Sequence, residues 1–339
     1  MNTMSFPKPK ISKSEADRIS KRIRKGIETD NDIKDLDGFR ASHSYALNSF
    51  QVWLRNRVRK FDHPVILVQR LKRKRTVLEK LRTGRAKSLS SMNDIAGCRL
   101  IFDNVESMHS FRKQILKARI GHKLKYDDRE KFNYIKNPKN TGYRGIHDIY
   151  RYQPVNNSNS PWEGLLVEIQ YRTKAQNSWA TAVEVADILR ATGVKFEDME
   201  SEEGEFFALC SEVIARSEEN SNSCFPDLED QALEEKLVVA GNNTGLSNFF
   251  SKLQAREVDG QKFRTHNVLV FLDDETKLET YPNSIEAIEA ANAYEESSPN
   301  INAVYIKAED YTQVRAAYKN YFSDAYEFYK LVSKISKAP

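Results

Sequence analysis

The sequence predicts an α/β protein: a mixed sheet flanked by helices over residues 34–195, then a second, small α+β module. Short apolar runs with strand character alternate with stretches of helical period between residues 34 and 195. Gly and Pro punctuate the joins, most densely at Gly121, Pro138, Gly142 and Gly145. After residue 195 the composition turns acidic, and a ββαβα order follows it.

The elements follow in order. Ser12 caps a helix over 12–29 that carries Ile19, Ile23 and Ile27 on one face. A longer helix over 34–60 has an apolar stripe through Leu36, Phe39, Leu47, Phe50 and Leu54, and Pro64 closes it. The run 65–68 suits a strand, 76–81 resumes a helical period, and 94–102 reads as a buried strand. A helix over 105–119 follows through Met108, Phe111 and Ile115, and 121–145 reads as a loop. Two strands, 146–152 and 165–171, flank a turn-rich stretch and suggest a hairpin. A helix over 174–190 has Trp179, Val183, Ala186 and Leu189 on one side. Two or three helices are expected between 200 and 256. Strands at 267–272 and 276–281, a helix at 284–295, a strand at 301–308 and an aromatic-rich helix at 311–335 complete the chain. The expected division is an N-terminal helical segment (1–33), the sheet domain (34–195), an acidic helical connector (196–256) and the C-terminal module (257–339).

Composition bounds the function. With 40% apolar and 30% charged residues in 339, the chain has the make-up of a globular protein. It lacks an apolar run of the ~18–20 residues a membrane helix needs. The basic, polar start has no secretory pattern, and three cysteines without CxxC spacing argue against a disulfide framework or a cysteine zinc site. A cytoplasmic setting is the expectation. Charge is unevenly spread. Residues 51–90 hold thirteen Lys/Arg against two Asp/Glu, and residues 196–236 hold fourteen Asp/Glu against two basic residues. The first block is a counter-surface for phosphates or a solvated helix face; the second reads as a solvated helical surface or an internal partner for the first.

Three polar blocks carry the chemistry. In the first, 70–80, Arg70, Lys72 and Lys80 surround a helix start, where they can neutralise a triphosphate; Arg73, Lys74 and Arg75 read as bystanders. In the second and third, Asp94 and Glu168 interrupt strand-like apolar runs, a costly placement unless each is paired or metal-bound. On neighbouring strands they would make a hard oxygen site for Mg²⁺; the alternative is pairing with Arg99 or Arg172. Tyr143, between Gly142 and Arg144, either offers a flat face to a base or packs its loop onto the sheet. Lys139 adds charge, and His147, at a strand start, is placed to orient a neighbour.

In this order the blocks resemble the synthetase domain of the RelA/SpoT family, the pyrophosphokinases that make guanosine tetra- and pentaphosphate alarmones. The matching residues are Arg70, Lys72 and Lys80; Asp94, Gly97 and Arg99; Pro138, Lys139, Gly142, Tyr143 and His147; then Glu168, Gln170, Arg172, Thr173, Trp179 and Ala180. The likeness covers about 60–190. It implies a nucleotidyltransferase-like fold and transfer of the β,γ-diphosphate of ATP to a 3′-hydroxyl, releasing AMP. It places Arg70 and Arg99 about adenine and Lys72 and Lys80 on ATP phosphates. Asp94 and Glu168 would bind Mg²⁺, with Glu168 also activating the acceptor hydroxyl. Tyr143 would stack on the acceptor base, with Lys139, His147, Gln170 and Arg172 around it. Four positions depart from the pattern: Thr76, Asn133, Gly145 and the pair Glu184-Val185. They bear on the acceptor more than on the reaction.

The long members of the family carry a His-rich hydrolase ahead of the synthetase. Only His43 and His63 precede the blocks here, so no alarmone hydrolase is expected. The expected substrates are ATP with GDP or GTP. Some toxic relatives modify the 3′ end of tRNA, which makes tRNA the alternative acceptor; a non-catalytic nucleotide- or RNA-binding module is the third reading. A homo-oligomer and intramolecular regulation by the C-terminal module are both open to this chain.

Overall fold

In the computed structural model the described residues are 6–118, 120–154, 156–190, 202–247, 266–271, 276–297, 302–307 and 327–333. Helix α1 (Lys13–Lys25) starts where Ser12 accepts the Glu15 amide and stops at Gly26, whose φ of 66° no β-carbon residue adopts freely. Helix α2 (Asp30–Val58) begins four residues before the expected start. Thr29 and Asp32 form a capping box there, a signal masked in the sequence by the preceding helical pattern. Leu36, Phe39, Leu47, Phe50 and Leu54 are buried along α2, as the stripe predicts.

Strand β1 (Val65–Leu71) leads into α3 (Lys74–Arg82), β2 (Ala96–Phe102), α4 (Val105–Lys117) and the two-residue β3 (Lys123–Leu124). Then come β4 (Ile146–Arg151), a 3-10 turn (Asn157–Trp162), β5 (Leu166–Thr173) and α5 (Lys174–Arg190). The five strands form one sheet in the order β1-β2-β5-β4-β3. Only β2 and β5 run parallel; β4 and β5 are the expected antiparallel pair. Val167, Ile169 and Tyr171 point into the core with Ala96, Cys98, Leu100 and Phe102. The alternate residues Glu168, Gln170 and Arg172 therefore share the opposite face.

Helices α6 (Glu202–Glu219) and α7 (Asp230–Thr244) follow, and pack with α5 around Trp179, Phe207, Val213 and Leu237. Most of the described acidic residues in 196–236 are exposed, as the reading of a solvated surface expects, and two depart from it. Side chains of Glu212 and Glu219 are 0% and 1% exposed, each closed off by an arginine, Arg216 and Arg144. A charge count along the chain cannot reveal a partner 75 residues away.

Strands β6 (His266–Phe271), β7 (Thr276–Tyr281) and β8 (Asn302–Lys307) make a second sheet in the order β7-β6-β8, joined by helix α8 (Ser284–Ser297). Val268, Val270, Ala291 and Tyr305 belong to the same apolar cluster as the first sheet. In α8, Asn292 bonds both Asp37 and Arg40, and Glu296 pairs with Lys74. Of the expected closing helix, 327–333 is helical with Phe328 buried; the remainder of 311–335 lies outside the described residues. Among the described residues no helix is long and apolar enough to cross a membrane.

Asp32 gives a first expected result. The Arg22 guanidinium at 2.6 Å holds its carboxyl down at about 2, from 3.8. A carboxylate with a lowered folded pKa contributes stability that is complete above 3.8 and lost as pH falls toward about 2. Asp32→Ala should lower stability at pH 7 by about 1 kcal/mol or more through the lost Arg22 pair and the lost half of the capping box. It should also flatten the melting temperature between pH 4 and pH 2, as thermal scans across that range would show.

Candidate active site

The two-residue period of β1, β2 and β5 sends polar side chains to one face, and the register aligns them. Arg70 lies opposite Gly97, and Gly97 opposite Glu168; Val68, Arg99, Gln170 and His147 form the next row. Above this face a cleft is lined by Arg70, Lys72, Asp94, Gly97, Arg99, Glu168, Gln170 and Arg172, together with Asn177, Thr181 and Glu184 from α5. Eight of the eleven predicted site residues are thus in or against one cleft, counting Lys80, which reaches Asp94 from α3. Of the other three, His147 meets Glu168, Tyr143 meets His147, and Lys139 lies over the Tyr143 ring, further out.

Asp94 differs from the expectation in its setting: β2 begins at Ala96, and Asp94 lies in the turn just before it. A turn lets the carboxylate lean back across the β1–α3 junction. There Asp94 Oδ2 accepts from Lys72 Nζ at 2.7 Å and Lys80 Nζ at 2.9 Å. Burial opposes ionisation of Asp94, but the two ammonium groups outweigh it and hold the carboxyl far below the usual range. The same burial pulls Lys72 down to about 8, against the attraction of Asp94.

Glu168 is buried at 6% exposure. His147 Nδ1 lies 2.9 Å from its Oε1, and Gln170 Nε2 donates to Oε2 at 2.6 Å. Beyond His147 the chain continues: its Nε2 is 2.5 Å from the Tyr143 hydroxyl, which also accepts from Arg172 Nη2 at 3.0 Å. Burial works against an imidazolium at His147, yet Tyr143 and Glu168 beside it push its pKa up to about 9. Burial likewise opposes the Glu168 carboxylate and is outweighed by His147, so Glu168 stays ionised.

Tyr143 is only 9% exposed and packs in the cluster of Trp179 and Phe207, the second of the two expected settings, and it does not line the cleft. Its ring is 5.6 Å from the Lys139 ammonium and 5.2 Å from the Arg172 guanidinium. The exposed Lys139 also covers Tyr134 at 4.7 Å. Arg99 reaches Gln170 and Asn177, and Arg70 reaches Glu184 at 3.7 Å.

Sequence reasoning missed Asn177, Thr181 and, as a lining residue, Glu184. Their i, i+4, i+7 spacing marks a polar stripe on α5 opposite its apolar one. A divalent ion fits the two carboxylates. Both line one cleft; the two lysines sit on Asp94 Oδ2, and an ion on Glu168 would displace His147 or Gln170 from one of its oxygens. Mg²⁺ takes one or two carboxylates with phosphate oxygens and water rather than a full protein cage. Among the described residues no group of three or more His, Cys, Asp or Glu could hold a metal by itself.

The sequence resembles known proteins over part of its length. Residues 69–188 match the profile described as the region found in RelA / SpoT proteins. GTP pyrophosphokinase YjbM of Bacillus subtilis (strain 168) is 32% identical over 124 residues, 35% of this chain and 56% of that relative. The chain thus spans little more than half the length of the relative it matches. Among solved structures, small alarmone synthetase 1 from Bacillus subtilis bound to its product pppGpp is 27% identical with a TM-score of 0.43, over 52% of this chain and 89% of that one. Small alarmone synthetase 2 from the same organism is 22% identical with a TM-score of 0.43, over 52% and 90%.

Proposed function

We propose, with residues 69–188 a RelA/SpoT region as the premise, that this chain is an ATP-dependent pyrophosphokinase acting on GDP or GTP. One observation carries the reading: one cleft over the sheet gathers two ionised carboxylates, Glu168 from a strand and Asp94 from the turn before one, with several cations. Phosphoryl transfer asks for charge neutralisation and alignment more than for covalent chemistry from the protein.

In this reading the acceptor 3′-oxygen attacks the β-phosphorus of ATP. The bond from that phosphorus to the α,β-bridging oxygen breaks, and AMP leaves with the bridging oxygen. Glu168, ionised and held by His147 and Gln170, gives up one of these two partners to take the hydroxyl proton. Lys72 and Lys80 move from Asp94 to the phosphates, and Arg70 and Arg99 flank the adenine. Asp94 and Glu168 would hold Mg²⁺, which when bound neutralises charge on the transferred group and steadies its oxygens. Gln170 and Arg172 hold the acceptor side, and the acceptor base takes the place of the Lys139 ammonium on Tyr143. No hydrolase centre is part of the proposal.

The tRNA alternative gains little from the geometry. Much of the basic run is paired within the chain: Lys72 and Lys80 to Asp94, Lys74 to Glu296, Arg82 to Glu28 and Arg85 to Glu79. Regulation by the C-terminal module remains part of the proposal. Its support is the contact of α8 with Lys74 and with Arg40, which also donates to the Lys72 carbonyl.

The deciding assay offers purified protein γ-labelled ATP and Mg²⁺ with GDP, GTP or bulk tRNA side by side. Labelled guanosine nucleotides support the proposal; label on RNA alone, or on no acceptor, overturns it. Tyr143→Ala should raise the acceptor KM at least about tenfold, the worth of one lost stack, with the ATP KM changed less than about twofold. Equal loss for both substrates would contradict stacking.

A further inference from the structure

The acceptor loop is held from outside the RelA/SpoT region, by the acidic helix α6. On one side of Tyr143, Ser211 Oγ donates to the Gly142 carbonyl at 2.5 Å. The contact is close: a β-carbon on Gly142 would lie 2.8 Å from the Ser211 Cβ and 3.0 Å from the Ala208 Cα. On the other side, Arg144 clasps the C-terminal end of α6. Its guanidinium donates to Glu219 Oε2 at 2.5 and 3.0 Å, to Ser221 Oγ at 2.7 Å and to the Asn222 carbonyl at 2.6 Å. That end of a helix presents free carbonyls and a partial negative charge, a natural seat for a cation.

Glu219 Oε1 is also used. It accepts from Gln176 at 2.7 Å and from Thr173 at 3.4 Å, the pair that caps the start of α5. One buried carboxylate therefore joins the acceptor loop to the end of β5, the strand that presents Glu168, Gln170 and Arg172. Between the pins, the Tyr143 hydroxyl is turned toward His147 and Arg172. We propose that Glu219 and Ser211 are positioning residues: α6 sets Tyr143 in register with the β5 residues, and so fixes how tightly the acceptor nucleotide binds. This rests on the pyrophosphokinase reading and adds to it a source of acceptor affinity outside the matched region.

The test measures steady-state KM for ATP and for GDP in wild type, Glu219→Gln, Glu219→Asp and Ser211→Ala, with amide hydrogen exchange of 139–145 in each. Glu219→Gln keeps size and polarity but loses the charge that holds Arg144. Its acceptor KM should rise about tenfold, the loss expected for a charge-assisted bond, with the ATP KM within about twofold. Ser211→Ala, which removes one hydroxyl and leaves the ion pair, should move the same constant by a smaller factor. Glu219→Asp should recover part of the loss. Exchange at 139–145 should quicken in both Glu219→Gln and Ser211→Ala. A merely structural role would instead lower kcat through the active fraction and leave both KM values alone; that result overturns the inference, as does a parallel rise in both. If wild type makes no product with any acceptor, the proposed activity falls. Exchange then decides what is left: unchanged exchange in the Glu219→Gln loop overturns the positioning role too, and faster exchange keeps it.

Discussion

Glu168→Gln should lower diphosphate transfer by about 10³-fold, the combined loss of a general base and a ligand for the divalent ion. The substitution keeps volume and one acceptor oxygen, so the strand register and the core residues Val167 and Ile169 behind it are undisturbed. What changes is the partner of His147. In the wild type that imidazole has a raised folded pKa of about 9 against 6.5. Its contribution to stability is therefore complete below 6.5 and is lost as pH rises through about 9. In the variant the buried imidazolium loses its counter-charge, and the ring sheds its proton instead of unfolding the protein. The variant should then be less stable than wild type by about 1–2 kcal/mol at pH 6, less than a broken buried pair usually costs because His can neutralise. The two proteins should converge by pH 10. Turnover by the labelled-ATP assay and denaturant melts at the two pH values check both halves. Near-normal turnover would show that Glu168 neither takes the proton nor holds the ion.

Much of this site was legible in the sequence because sheet chemistry is written at period two. Glu168, Gln170 and Arg172 alternate with Val167, Ile169 and Tyr171, and the alternation alone puts the polar set on one face. The cations around the start of α3 were legible for a similar local reason. What the sequence hid is what depends on distant partners. The strand assigned to Asp94 was a turn: Ile95 beside it continues the apolar run, but the paired residues of β2 begin only at Ala96. Most of the acidic stretch is the solvated surface its charge suggests, and the sequence hid only its two buried members. Glu219 finds Arg144, and Glu212 finds Arg216 and the amides of Ser223 and Phe225. The polar stripe on α5 was present in the spacing of Asn177, Thr181 and Glu184, but the stronger apolar stripe on the same helix masked it. Tyr143 was legible as a loop aromatic; that α6 covers and pins its loop follows only from the fold.

Asp94→Ala should separate binding from chemistry. In this state Asp94 occupies two of the cations assigned to the triphosphate, with Lys72 and Lys80 both on its Oδ2. Any nucleotide that recruits them must first compete with that carboxylate. Removing it frees one buried and one half-buried ammonium group for phosphate oxygens. ATP should then bind at least as tightly as to wild type when Mg²⁺ is chelated. Turnover with Mg²⁺ should still fall by about 10³-fold, because an interaction made mainly in the transition state is gone while ground-state binding is kept. The effect should be clearest below pH 7. Burial already lowers Lys72 to about 8, and without Asp94 its pKa falls further, so acid is needed to keep the ammonium charged. Calorimetry with ATP in EDTA at pH 6, beside the labelled-ATP assay, reads the two quantities separately. Weaker ATP binding in parallel with lost turnover would make Asp94 a brace for the lysines rather than a ligand for the ion; turnover near wild type would remove it from the chemistry altogether.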